Sequence, residues 1–130
     1  MRRAIYGAVL IGLGAGCGGK DGPEPIKPVA GDLTVAYSGP SQTDGALLLV
    51  VTGVLSQVTP VSGYQVAFAS LGPSTTRVVV LGALIPGDLF KIRVSDVNTA
   101  ATYSARVDQA ADRLTFALGD PLGYTAGVRK

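Results

Sequence analysis

From Asp32 onward, hydrophobic and polar positions alternate in short segments separated by turn residues. Leu33-Thr34-Val35-Ala36-Tyr37 alternates apolar with small or polar residues and stops at Ser38-Gly39-Pro40. Thr43-Asp44-Gly45 is turn chemistry. Ala46 to Thr52 is an unbroken apolar run closed by Gly53. A run this short with turn residues on both sides suits a central strand covered on both faces better than a buried helix. Tyr64, Val66 and Phe68 share one face and Gln65 the other. After Gly72-Pro73-Ser74 comes a β-branched stretch, Thr75 to Leu81, ended by Gly82. Pro86-Gly87-Asp88 turns the chain into Leu89–Val94, with Phe90, Ile92 and Val94 inward and Lys91 and Arg93 outward. Ala101 to Gln109 sets Tyr103, Ala105 and Val107 against Ser104, Arg106 and Asp108. Leu114–Leu118 and Tyr124–Val128 read as the last strands. About seven to nine strands at spacings of roughly 10–13 residues predict an all-β fold, a single antiparallel β-sandwich. The one helical candidate, Asp108 to Arg113, is too short for more than a single turn.

The first thirty residues follow another pattern. Arg2 and Arg3 precede an apolar stretch, Ala4 to Leu13, and then small residues, Gly14, Ala15 and Gly16, before Cys17. Charge, apolar run and small residues in that order are the layout of a cleaved export signal. Extended to Gly16, the run makes a helix of roughly 20 Å, short of the ~30 Å hydrocarbon core, so a permanent membrane span is the poorer reading. Leu13-Gly14-Ala15-Gly16-Cys17 resembles the bacterial lipobox. That resemblance implies cleavage between Gly16 and Cys17, a diacylglyceryl thioether on Cys17 and acylation of the new amine. The departure from the pattern is Gly14, which stands where Leu is usual; Leu13 lies one position further back. Gly18 lacks the aspartate that retains such proteins at the inner membrane, so the resemblance favours an outer membrane where one exists. Two or three acyl chains on one residue hold a protein durably on a membrane, where one gives only marginal binding.

Pro23, Pro25 and Pro28 punctuate residues 18–30, restricting their neighbours to extended conformations. Such a segment reaches roughly 40 Å at about 3.1 Å per residue and works as a spacer. The expected organisation is therefore a signal over 1–16, a lipidated cysteine and tether over 17–31, and a β-sandwich over 32–130.

Charge changes the picture by subtraction. The chain holds 11 Lys/Arg and 9 Asp/Glu, and loss of Arg2 and Arg3 with the signal leaves the two signs equal. No basic run remains, so no nucleic-acid partner is expected. Histidine is absent, which removes the common general base and every Ser-His-Asp scheme. The only cysteine is Cys17, which under lipidation leaves neither a thiol nucleophile nor a thiolate metal site. No glycine-rich phosphate loop lies between a strand and a helix. The acids Asp32, Asp44, Asp88, Asp96, Asp108, Asp112, Asp120 and Glu24 read as solvated loop residues. Asp108 and Asp112 are the one pair that a turn brings together in the manner of a glycosidase. Asp96, Asn98 and Asp112 offer oxygens to calcium, though Asp96 and Asn98 are also ordinary turn residues. No enzyme, cofactor or metal is expected.

Sugar-binding sandwiches present exposed aromatics, whereas Tyr37, Tyr64, Phe68, Phe90, Tyr103, Phe116 and Tyr124 fall mostly on apolar faces here, as core residues do. Asp44-Gly-Ala-Leu-Leu-Leu-Val-Val-Thr-Gly53, Thr76-Arg-Val-Val-Val80, Leu89-Phe-Lys-Ile-Arg-Val94 and Thr102-Tyr-Ser-Ala-Arg-Val107 together resemble the strand order of cohesin-like, immunoglobulin-like sandwiches over residues 32–128. The resemblance implies an adhesive or scaffolding module with a protein or polysaccharide partner, and no binding residue carries over from it. The expected function is a lipid-anchored envelope protein displaying a small interaction or structural module; the alternative is a carbohydrate-binding module at the cell surface.

Overall fold

A computed structural model describes residues 27–130; the signal segment, Gly16, Cys17 and most of the tether lie outside these residues. The domain is all-β, with nine strands in two antiparallel sheets. In chain order they are β1 (Gly31–Ser38), β2 (Asp44–Thr52), β3 (Gln57–Pro60), β4 (Gln65–Gly72), β5 (Thr75–Leu84), β6 (Gly87–Val94), β7 (Ser104–Asp112), β8 (Leu118–Gly119) and β9 (Thr125–Arg129). A 3₁₀ segment, Val97–Thr102, precedes β7. One sheet has the order β9-β1-β6-β3 and the other β4-β5-β2-β7-β8.

The alternation sets the layers. Leu33, Val35 and Tyr37 of β1 and Phe90, Ile92 and Val94 of β6 point inward from the four-stranded sheet. They meet Leu47, Leu49 and Val51 of β2, Val78 and Val80 of β5 and Val107 of β7. Each such side chain contributes about 1.5–3 kcal/mol on leaving water. Asp32 and Arg93, directly opposite each other on β1 and β6, pair at 3.7 Å on the outside.

Three elements differ from the sequence expectation. Val97–Thr102 coils as 3₁₀ because the Asp96 carboxylate accepts the Asn98 N–H at 3.0 Å and caps it, so β7 starts at Ser104 and not at Ala101. Asp108 to Asp112 is no helical turn; it continues β7, with a register shift opposite Leu48 and Leu49. Leu114–Leu118 is largely a turn, and only Leu118 and Gly119 pair with β7. The short β3, which pairs with β6, had no signal in the alternation.

Candidate functional site

The two ends of the sandwich are unlike. At the proximal end the tether joins the fold. Val29 N–H donates to Asp96 Oδ1 at 3.2 Å, Asn98 Nδ2 donates to the Lys27 carbonyl at 3.4 Å, and Lys130 Nζ donates to Asn98 Oδ1 at 3.3 Å. Tyr103 lies over Gly53, whose φ of +131° a side chain rarely adopts, and its hydroxyl donates to the Val54 carbonyl. Burial, then the Asp96 charge, hold the Tyr103 hydroxyl above its ordinary pKa.

At the distal end β1 finishes, β2 begins, and the β7–β8 turn and the approach to β9 converge. Asp44, expected in a solvated turn, is instead the first residue of β2 and only 2% exposed. The strand begins two residues earlier than Thr43-Asp44-Gly45 suggests, because Arg113 N–H bonds the Thr43 carbonyl and draws Asp44 into the ladder. The Tyr124 hydroxyl donates to Asp44 Oδ1 at 2.8 Å. The Tyr37 ring stacks on Tyr124 with centroids 6.4 Å apart and planes 11° from parallel. The Tyr37 hydroxyl and Asp44 Oδ2 are both buried without a hydrogen-bond partner, yet close enough to act on one another. Burial first, then the Asp44 charge, push the Tyr37 hydroxyl far up. Burial and the Asp44 hydrogen bond push Tyr124 up to about 12. Since Asp44 belongs to the five-stranded sheet and Tyr37 to the other, the cluster ties the layers together with polar groups.

Asp112 is the register partner of Asp44. Two carboxylates directly opposite would repel, and the two differ in their partners: Asp44 has only the Tyr124 hydroxyl, on one oxygen. Asp112 accepts from Thr43 Oγ1 at 2.7 Å and from the N–H groups of Leu114 and Thr115 at 2.7 and 3.1 Å. These bonds, that from Thr43 foremost, hold its carboxyl below the usual range. Around these groups lies an open cleft of about 330 Å³, lined by Ser41, Asp44, Asp112, Thr115, Asp120 and Tyr124, with Ala110 and Leu118 among its apolar lining.

The segment that lines this cleft through Thr115 and Leu118–Asp120 exposes large apolar side chains within nine residues: Leu114, Phe116 at 85%, Leu118 and Leu122 at 82%. The tip is pinned: Phe116 N–H bonds the Asp112 carbonyl, Leu122 N–H bonds Asp120 Oδ1, and Tyr124 N–H bonds the Pro121 carbonyl. Phe116 sits at φ 60°, left-handed backbone that a bulky residue rarely takes. Leu-Thr-Phe-Ala-Leu alternates like a buried strand, so its sequence pattern concealed the tip.

The outer face of the five-stranded sheet is the second exposed apolar surface. Register places Leu81, Ala46, Ala111 and Leu118 in one cross-strand row and Ala67, Val79 and Leu48 in the next. In a third row Val50 lies between Arg77 and Arg106 and is 3% exposed, roofed by their aliphatic stems. The Ala46–Thr52 run predicted a strand covered on both faces; the fold covers one and leaves Ala46 and Leu48 half-buried on this other face.

The chemistry weighed from sequence is not assembled. Asp108 pairs with Arg106 at 2.9 Å and does not approach Asp112. Asp96 and Asn98 lie at the proximal end and Asp112 at the distal end; among the described residues no cluster of three His, Cys, Asp or Glu is placed to hold a metal. Among the described tyrosines, Tyr37 is buried and Tyr64, Tyr103 and Tyr124 pack partly buried against the core, forming no exposed row. The exposed aromatics are Phe68 and Phe116, both expected in the core. No family model, curated protein or solved structure matches the chain.

Proposed function

We propose that this chain is a lipid-anchored display module of the bacterial cell envelope, non-catalytic, which meets a protein partner through the apolar tip Leu114–Leu122. The anchor is Cys17, freed by cleavage after Gly16, with the outer membrane favoured by Gly18 where one exists. The observation that carries the reading is the polarity of the molecule. The tether joins at Gly31, and the tip lies beyond Ser38 at the other end of β1, roughly 25 Å away at about 3.3 Å per residue. A domain hung from its proximal end points four large apolar side chains away from the membrane. Contiguous exposed apolar groups at a fixed tip are the surface of a partner site, since loops carry function on a rigid scaffold. The cohesin-like resemblance fits an adhesive role. The carbohydrate reading is the weaker one, because the tyrosines pack inward.

Labelled palmitate tests the anchor. The full chain should incorporate label and sediment with membranes, and Cys17→Ser should do neither. Label-free, soluble wild-type protein would remove the proposal.

A further inference from the structure

We propose that β4 pairs edge to edge with β4 of a second copy, joining two five-stranded sheets into one across a two-fold axis. Four strands end the two sheets: β9 and β3 in one, β4 and β8 in the other. A sheet edge is a row of unpaired N–H and C=O groups, which proteins blunt with short strands, charge or proline. β3 has four residues and ends in Pro60, β8 has two residues, and β9 carries Arg129. β4 is not short: it runs for eight residues, Gln-Val-Ala-Phe-Ala-Ser-Leu-Gly. It carries neither charge nor proline, and its ladder is irregular only between Ser70 and Gly72 at its C-terminal end. Its inner side chain Phe68 stays 47% exposed although Val78, its partner on β5, is fully buried.

A second copy is the occupant that fits. Antiparallel self-pairing satisfies the same groups on both strands and closes on itself, which is the isologous geometry of two-fold dimers. The neutral strand brings no like charges together. Centred on Phe68, the pairing sets Phe68 against its own copy, Ala67 against Ala69 and Val66 against Ser70. An aromatic cross-strand pair of this kind is favourable, and it covers the half-exposed ring. One eight-residue edge is a small interface beside the ~800 Å² per partner of a stable complex, so the pair is weak and shifts with protein concentration.

Sedimentation velocity of the full chain in detergent micelles, over a concentration series, tests this. The wild type should pass from monomer to dimer, and Phe68→Lys should weaken the dimer about tenfold or more. Phe116→Lys, an equal change at the tip, should leave it alone. A monomer throughout, open-ended polymers, or a dimer indifferent to Phe68→Lys overturns the pairing. If Phe68→Lys does not fold, amide exchange in the wild type decides. Protection of residues 65–72 that rises with concentration supports it, and protection independent of concentration overturns it.

Discussion

Each end of the sandwich is closed by a tyrosine lying on a glycine, and the two closures differ in what the hydroxyl finds. At the proximal end Tyr103 covers Gly53 and bonds the Val54 carbonyl, a neutral acceptor. At the distal end Tyr124 covers Gly39 and bonds Asp44, a buried carboxylate, with Tyr37 stacked behind it. A carbonyl asks nothing more of its surroundings. A buried carboxylate with an unpartnered oxygen makes every neighbouring group answer to its charge. The proximal end is thus an ordinary seam where the tether is tied down. The distal end inverts the usual partition, with charge inside and leucine and phenylalanine outside. That inversion is what sets the distal end apart, and the proposed partner site rests on it.

The comparison can be broken most forcefully at Asp44. Asp44→Ala should cost about 2–3 kcal/mol in urea unfolding, because it strands the Tyr124 hydroxyl in a partly buried place. Asp96→Ala, which removes the proximal cap, should cost about 1 kcal/mol. Equal losses would mean the ends are energetically alike. Gly53→Ala is the proximal counterpart. A Cβ there would run into the Tyr103 ring at φ +131°, and a loss of about 2 kcal/mol should follow from clash and strain together.

Alkaline titration sharpens the comparison. The Tyr37, Tyr103 and Tyr124 hydroxyls all ionise above 10.0 in the fold. A raised folded pKa gives stability that is full below the unfolded value and is lost as pH rises towards the folded one. Unfolding free energy should therefore fall from about pH 10 toward the value of about 12 at Tyr124. Tyr124→Phe should flatten that fall more than Tyr103→Phe, because the distal tyrosine donates directly to a buried carboxylate, whereas Tyr103 feels the Asp96 charge without a hydrogen bond to it. Acid gives the opposite sign. Asp112 is held below its ordinary value of 3.8, so its contribution is present above that pH and lost as pH falls through the lowered one. Asp112→Asn should remove the acid dependence and speed amide exchange at Leu114 and Thr115, with little change in the core. The smallest effect belongs to Phe116→Gly, which relieves left-handed backbone. It should stabilise by about 0.5–1 kcal/mol while removing an aromatic from the tip, so stability rises as partner binding falls.

Much of this fold lies open in the sequence because one face of each strand is buried and the period is two. β1 and β6 follow directly from that, and β2 and β5 from short apolar and β-branched runs between turn residues. Leu33, Val35 and Tyr37 are inward where the alternation puts them. The distal end is where pattern misleads, and for one reason: periodicity reports which residues are apolar, not which are covered. Leu114–Leu118 alternates like a core strand but is turned outward by two bonds, from Leu114 and Thr115 N–H, to the Asp112 carboxylate, which Thr43 also holds, and none of these has a periodic signature. Phe68 alternates correctly on β4 but overhangs at a sheet edge. Asp44 has the composition of a turn and the burial of a core residue, because its partner is Tyr124, eighty residues away. A polar cluster assembled over that separation leaves no local trace.

The polarity of display depends on where the chain is held. Mass spectrometry of the N-terminal peptide from membrane-extracted protein measures that directly. The account predicts a peptide beginning at Cys17 whose mass carries a diacylglyceryl group and an amide-linked acyl chain. A peptide with an unmodified Cys17 thiol, on protein recovered from the soluble fraction, contradicts it.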